Sequence, residues 1–349
     1  MKKILLASTA LVAFAGAAAA EVTLSGNAEM GLIIGDGGVA ATDNDIEFHT
    51  DIDVTFTMSG ETDNGLTFGA TIDLDESDGS NSAQGTATVD AGPDGIFGTP
   101  DDFIITPGTS GSSGAFSNRS QGGETIFISG GFGTLTAGDT DGALDWALTE
   151  VAFNSGSLGD DETEHAGYNG NSGLDGTYDG QIVRYDYSFG DFGFALSAEI
   201  DDNSTADPIL GIGFKYTADL GGSAIGFGLG YQATEDGAGN DVDALGVSIN
   251  GTVAGFAVGV SFLNRDNDVL LADSYDHVGV GIGYTTGAIS MSANYGEYDY
   301  DDGLDASGFG LTAGYDLGGG ASVQAGYGNS DPRTGADFDT FSFGVRLNF

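Results

Sequence analysis

The sequence predicts an all-β chain: a 16-stranded antiparallel transmembrane β-barrel, with short turns at one end and long acidic loops at the other. Three observations carry this. In Phe338–Phe349, the side chains Phe341, Phe343, Val345, Leu347 and Phe349 alternate with Thr340, Ser342, Gly344, Arg346 and Asn348. A strand sends successive side chains to opposite faces, so this segment has one apolar and one wet face, at a length that suits a tilted crossing of a bilayer. Secondly, the same rhythm recurs along the chain. Thirdly, beyond the amino-terminal segment no run reaches the ~18 consecutive apolar residues of a membrane helix.

Taken in order, Val22–Ile34 is a strand whose apolar phase changes between Leu24 and Ile33-Ile34. Ile46–Ser59 places Ile52, Val54, Phe56 and Met58 against His49, Asp51, Asp53, Thr55 and Thr57. Gly60–Gly65 turns the chain into Leu66–Asp75. A polar insertion, 77–120, follows with no strand-length alternation, and then a short hairpin of Thr125–Ser129 and Thr134–Gly138. A second long interruption holds the single Trp, Trp146. From Gln181 the strands are regular: Gln181–Phe189, Phe192–Ile200, Leu210–Leu220, Ala224–Thr234, Val242–Asn250, Gly255–Asn264, Ser274–Thr285, Ala288–Tyr300, Asp305–Leu317, Ala321–Asn329 and Phe338–Phe349. Their connections fall into seven short, Gly-rich turns and eight longer, acidic loops, the asymmetry of a membrane barrel. Tyr187, Phe189, Phe192, Phe194, Tyr295, Tyr298 and Tyr300 lie near strand ends, where interfacial aromatic girdles sit. A soluble β-sandwich would leave these wet inner faces with nothing to pack.

Composition narrows the partners. With 53 Asp+Glu against 8 Lys+Arg, nucleic acid is excluded as a partner and cations are favoured. Cys is absent, which suits an exported chain. Residues 1–20 read as a cleaved signal peptide: Lys2 and Lys3, an apolar run Ile4–Ala15, then Ala18-Ala19-Ala20. Its removal would leave residues 21–349 as the barrel, with 6 basic against 53 acidic residues, a formal charge of −47.

The stretches Glu21–Gly26, Val54–Gly69, Phe127–Asp139 and Gly314–Ala321, with the terminal aromatic Phe349, resemble the alpha-proteobacterial general porins of the Rhodobacter type. The resemblance implies an outer-membrane diffusion channel for small hydrophilic solutes and ions, built as a homotrimer with periplasmic turns and extracellular loops. It implies contacts with outer-membrane lipid and lipopolysaccharide, and a carboxy-terminal Phe349 that signals to the barrel-assembly machinery. It also implies that 139–179 folds into the lumen as a constriction. Such porins carry basic residues on the wall facing that loop, whereas this chain offers His49, Asp51 and Asp53.

The chemistry expected is that of a charged hole rather than an enzyme. No nucleophile has a spaced His/Asp partner set, and the chain has only three His. The expected acidic constriction is Asp139, Asp141, Asp145, Glu150, Asp160, Asp161, Glu162 and Glu164, opposed by Arg184, Lys215 and Arg346. Carboxylates crowded in a narrow pore raise the local cation concentration, so cation preference is expected. No cofactor is required, but Asp90, Asp94, the Ile96 carbonyl and Asp101 stand at positions 1, 5, 7 and 12 of a calcium loop, with Gly92 at position 3. The alternatives are a substrate-specific channel or a secreted calcium-dependent surface protein; the latter would call for repeated calcium-binding runs that this chain lacks.

Overall fold

The structure is a computed structural model and describes residues 21–35, 46–77, 88–90, 103–106, 120–153, 156–160, 162–178, 180–201, 206–271 and 273–349. Its strands are β1 (Glu21–Ile34), β2 (Ile46–Glu61), β3 (Thr67–Ser77), β4 (Thr88–Asp90), β5 (Phe103–Thr106), β6 (Ser120–Gly130), β7 (Gly133–Asp139), β8 (Gln181–Phe189) and β9 (Phe192–Glu199). They continue as β10 (Ile209–Asp219), β11 (Ser223–Glu235), β12 (Asp241–Val253), β13 (Phe256–Asn267), β14 (Tyr275–Thr286), β15 (Ile289–Tyr300), β16 (Asp305–Gly318), β17 (Ala321–Asp331) and β18 (Phe338–Asn348). Sixteen of these close into one antiparallel barrel, in which each strand pairs with its neighbours in the chain, β3 skips to β6, and β18 returns to β1. The seam pairs Asn27–Ile34 with Phe341–Asn348.

The alternating faces explain which side is outside. Ile212, Phe214, Phe227, Leu229, Val258, Val260 and Phe262 are exposed large apolar residues, and the residues between them are glycines and small polar side chains. A surface this apolar belongs against lipid. Tyr185, Tyr187, Phe189, Phe192, Phe194 and Tyr216 form a continuous outward aromatic band, with successive ring centroids 4.8–6.4 Å apart.

Several expectations are corrected. The phase change in β1 does not occur: its register with β2 is unbroken from Glu21 to Ile34, so Met30 and Leu32 continue the outward row of Val22 and Leu24. Tyr298 and Tyr300 leave the girdle. Tyr295 and Tyr298 are an odd three positions apart, so they fall on opposite faces; Tyr298 and Tyr300 stack on each other and meet Tyr275 edge-on inside the barrel, and Tyr298 also packs on His277. The insertion carries a small hairpin, β4 with β5, and β6 begins five residues early, at Ser120. The β12–β13 turn is Ala254-Gly255 rather than Gly251–Ala254, because both residues take left-handed φ (52° and 85°), as a two-residue hairpin turn of matching twist requires.

The hydrophobic core lies on the inner face of the barrel. Leu144, Leu148 and Leu174 of the 139–180 segment pack with Ile209, Val242, Ala244 and Leu263 of the wall, flanked by Tyr178 and Tyr275. Fully burying a leucine gains ~1.5–3 kcal/mol, so this pad holds the segment strongly against β10–β13.

Candidate functional site

Residues 139–180 travel along the inner wall from β9 to β1 and back. They leave β7 and form one turn of helix, α1 (Ala143–Ala147), seated on glycines: a Cβ at Gly213 would lie 1.9 Å from the Ala143 carbonyl oxygen, and one at Gly228 would lie 2.2 Å from that of Ala147. Leu148 lies over Gly246 of β12, and Val151 over Gly281 of β14. The tip reaches the seam, where the Leu158 side chain fills the space above Gly31 and Gly344. The return limb passes Glu162 over Gly326, His165 over Gly308 and Gly167 over Gly296. Only residues without a Cβ let backbone approach backbone this closely.

Wall side chains then satisfy the segment's buried main chain. Ser197, Ser248, Ser342 and Ser330 accept from the N–H groups of Ala143, Thr149, Leu158 and Ala166. The Glu199 carboxylate, 1% exposed, accepts from Gly176, Tyr178 and Gly180 at 3.0, 3.1 and 3.0 Å. Glu29, 5% exposed, accepts from Gly159 at 2.8 Å. Two histidines bracket one residue: the Gly167 N–H donates to His165 Nδ1 (3.1 Å), and His277 Nε2 meets the Gly167 carbonyl (2.9 Å). Burial, with His277 nearby, pushes the His165 imidazole down to about 4.

The expected site residues are placed as follows. Asp139 ends β7 opposite Gln181, and Asp141 is exposed just beyond it. Asp145 lies in α1; burial, with Asp141, Glu150 and Asp175 adding their repulsion against the pull of Arg184, pushes its carboxyl up to about 8. Glu150 is exposed and accepts from the Tyr168 hydroxyl. Asp160, with left-handed φ, turns the tip, and its carbonyl accepts from the Thr163 and Glu164 N–H groups. Glu162 is fully buried against the wall, while Glu164 is exposed; Asp161 lies outside the described residues.

The three basic residues are all engaged. Arg184 donates to the Asp141 carbonyl at 2.6 Å and pairs with Asp186 at 3.4 Å. The Lys215 ammonium sits 3.5 Å from the Trp146 ring centroid, and Arg346 pairs with Glu29 at 2.9 Å. On the facing wall, His49 lies 3.6 Å from Glu29, Asp51 stands opposite Glu29 in register, and Asp53 accepts from Asn27 at 2.8 Å. Sequence reasoning missed Glu29, Glu199, Asp175 and Gln232. Asp175 ties both limbs of the segment to β11, accepting from Gly142 N–H (2.7 Å) and Gln232 (2.5 Å), and burial pushes it up to about 6.

Of the calcium ligands expected, Asp90 ends β4, and Asp94, Ile96 and Asp101 lie outside the described residues. Among the described residues, no group of three or more His, Asp and Glu is arranged to hold a metal ion. Phe349 follows β18, mostly exposed, and its N–H donates to the Gly26 carbonyl at 2.9 Å.

A closed sixteen-stranded barrel, apolar outside and polar within, is wide enough to leave an aqueous channel across a membrane, and this one is an outer-membrane pore. The chain belongs to the Gram-negative porin family, whose sequence pattern matches residues 7–335. Its fold is similar to that of a porin refined at 1.8 Å resolution, at 24% identity and a TM-score of 0.65 over 94% of this chain and 100% of that one. A triple mutant of Rhodopseudomonas blastica porin is similar at 19% identity and a TM-score of 0.62, again over 94% and 100%. A further variant of that porin, at 22% identity, gives a TM-score of 0.59 over the same shares. No curated protein matches the chain. Family and fold are those of a passive channel of the Gram-negative outer membrane, not of an enzyme.

Proposed function

We propose that this porin is a cation-preferring diffusion channel for small hydrophilic solutes, assembled as a homotrimer, with the 139–179 segment as its constriction. One observation supports the preference above others: carboxylates stand on both sides of the lumen. The segment contributes Asp141 and Glu150; the wall it leaves uncovered contributes Asp51 and Asp53 of β2 and Asp73 of β3. Arg184, Lys215 and Arg346 are each taken up by a carboxylate, a carbonyl or a ring. A transverse field of opposed signs is therefore replaced by a negative potential throughout the narrow region, which enriches cations.

The test is single-channel recording of the refolded protein in a planar bilayer under a KCl gradient. Steps arriving in threes, with a reversal potential toward that of K⁺, support the reading; a reversal potential near zero or toward Cl⁻ refutes the cation preference. The leader at 1–20, Phe349 as an assembly signal, and contacts with lipopolysaccharide belong to the same reading. Calcium at 90–101 rests on the sequence pattern, and titration calorimetry on chelator-treated protein that shows no calcium-dependent heat would remove it.

A further inference from the structure

At the seam, the first strand, the last strand and the tip of the inward segment meet on one side chain. Glu29 stands opposite Arg346 of β18 and Asp51 of β2 in register. One carboxylate oxygen pairs with Arg346 at 2.9 Å; the other accepts from the Gly159 N–H at 2.8 Å and lies 3.6 Å from His49. Two residues along, Leu158 occupies the slot over Gly31 and Gly344, and its N–H donates to Ser342 at 3.2 Å. The tip is thus keyed into the seam by one apolar plug and one carboxylate. A carboxylate with 3% of its side chain exposed is tolerated only with partners of this kind.

We propose that Glu29 is a positioning and specificity-determining residue of the pore: it latches the constriction tip at Gly159 and masks the positive charge of Arg346. This rests on the reading of 139–179 as the constriction. Glu29 is too buried to meet permeating ions itself, whereas the Arg346 side chain keeps 29% of its surface. Freed of its partner, that guanidinium would present an uncompensated positive charge to the lumen. Within about 5 Å of an ion's path, one such charge lowers the cation:anion permeability ratio roughly threefold to fivefold in 0.1 M salt.

The experiment uses the full-length refolded protein, its fold checked by β-type circular dichroism and heat-modifiable migration. Glu29→Gln keeps an acceptor for Gly159 but turns an amide toward Arg346; the expected result is a severalfold fall in K⁺:Cl⁻ permeability with steady conductance. Glu29→Gln combined with Arg346→Gln is expected to restore the ratio, a rescue that a merely structural role would not give. Glu29→Ala is expected to add open-channel flicker as the tip loses its latch; should it fail to fold, the two Gln variants decide. An unchanged ratio in Glu29→Gln, or a lowered ratio not restored in the double variant, overturns the masking. Wild-type noise in a folded Glu29→Ala overturns the latch. Glu150→Gln separates the two readings: if it shifts selectivity and the Glu29 variants do not, the inference fails alone, and if neither does, the constriction reading fails with it.

Discussion

Asp145 gives the pore a selectivity that should rise with pH. Its carboxyl is pushed up to about 8, first by burial in the seated helix, then by Asp141, Glu150 and Asp175, and Arg184 offsets only part of this. A group with that value is about one-tenth ionised at pH 7 and about nine-tenths at pH 9, so the change adds roughly 0.8 of a negative charge on the inward segment. A full charge about 5 Å from an ion's path is worth ~0.8 kcal/mol at water's dielectric constant, and ~0.5 kcal/mol after screening in 0.1 M salt. Because cations gain what anions lose, the permeability ratio should climb about fourfold between pH 7 and 9. Reversal potentials under a KCl gradient, read at half-unit steps from pH 6 to 9.5, would trace a titration centred near 8. In Asp145→Asn the step should vanish while the pH 6 value stays unchanged, and in 1 M salt it should shrink as the Debye length falls to ~3 Å. A wild-type ratio flat across this range, or a step that survives Asp145→Asn, would refute both the ionisation state assigned to Asp145 and its place beside the permeating ions.

Three further outcomes follow from the seating of the inward segment. Glu199→Ala removes the shared acceptor of three partly buried N–H groups, which water can reach in part, so the root of the segment should loosen by ~1–3 kcal/mol, read as faster hydrogen exchange at 174–180. Gly296→Ala would set a Cβ 1.9 Å from the Gly167 carbonyl oxygen, so it should displace the return limb at a cost of ~1–3 kcal/mol and alter conductance, whereas Gly131→Ala, with open space around it, should be neutral in both. Asp175→Asn should tighten seating in a pH-dependent way. Burial, with Glu199 and Asp141 nearby, raises the seated carboxyl to about 6 from 3.8, so the seated form binds the proton more tightly, and its penalty builds as pH rises from about 4 and is complete above 6. The variant should therefore gain ~3 kcal/mol of protection against exchange at pH 8 and almost nothing below pH 4. Equal gain at both values would remove ionisation from the explanation.

The barrel was legible because its two faces obey a period of two over strands of membrane length, as in Phe341, Phe343 and Val345 against Ser342 and Gly344. The girdle was half legible. Tyr187 and Phe189 share the outward parity, whereas Tyr298 and Tyr300 lie near a strand end but carry the inward parity of Tyr275's partners. Glu29 was hidden by the supposed phase change in β1: carrying the row of Val22 and Leu24 straight on to Met30 and Leu32 puts Glu29 inside. The inner apolar pad had a signal too. Ile209-Leu210 and Phe262-Leu263 are adjacent apolar pairs, so one member of each must face inward, and an apolar residue facing a wet lumen implies that something covers it. Glu199 and Asp175 carry no such mark, since nothing local tells a carboxylate that will hold backbone amides from one that will meet water.

The same distinction accounts for the two most unusual features of the composition. Glycine, at 62 residues, looked like the material of turns and loops, and at Ala254-Gly255 the turn does need a left-handed residue. Much of the rest lies on the inner face, from Gly213 through Gly344 to Gly31, where a second backbone is pressed against the wall and a Cβ would strike it. A wall stripped of side chains cannot hold that backbone by packing alone, and each buried N–H along it needs an acceptor. Neutral serines supply some of these, but where several amides converge, as at Glu199, a carboxylate satisfies them together and with charge-assisted bonds. The acidic excess therefore divides into buried carboxylates that hold the inward segment in place and accessible ones that, on the function proposed above, set the potential of the pore. Neutralising the first kind should change the pore's steadiness, and neutralising the second its selectivity. Glu29, which holds Gly159 with one oxygen and Arg346 with the other, is the residue at which both should change together.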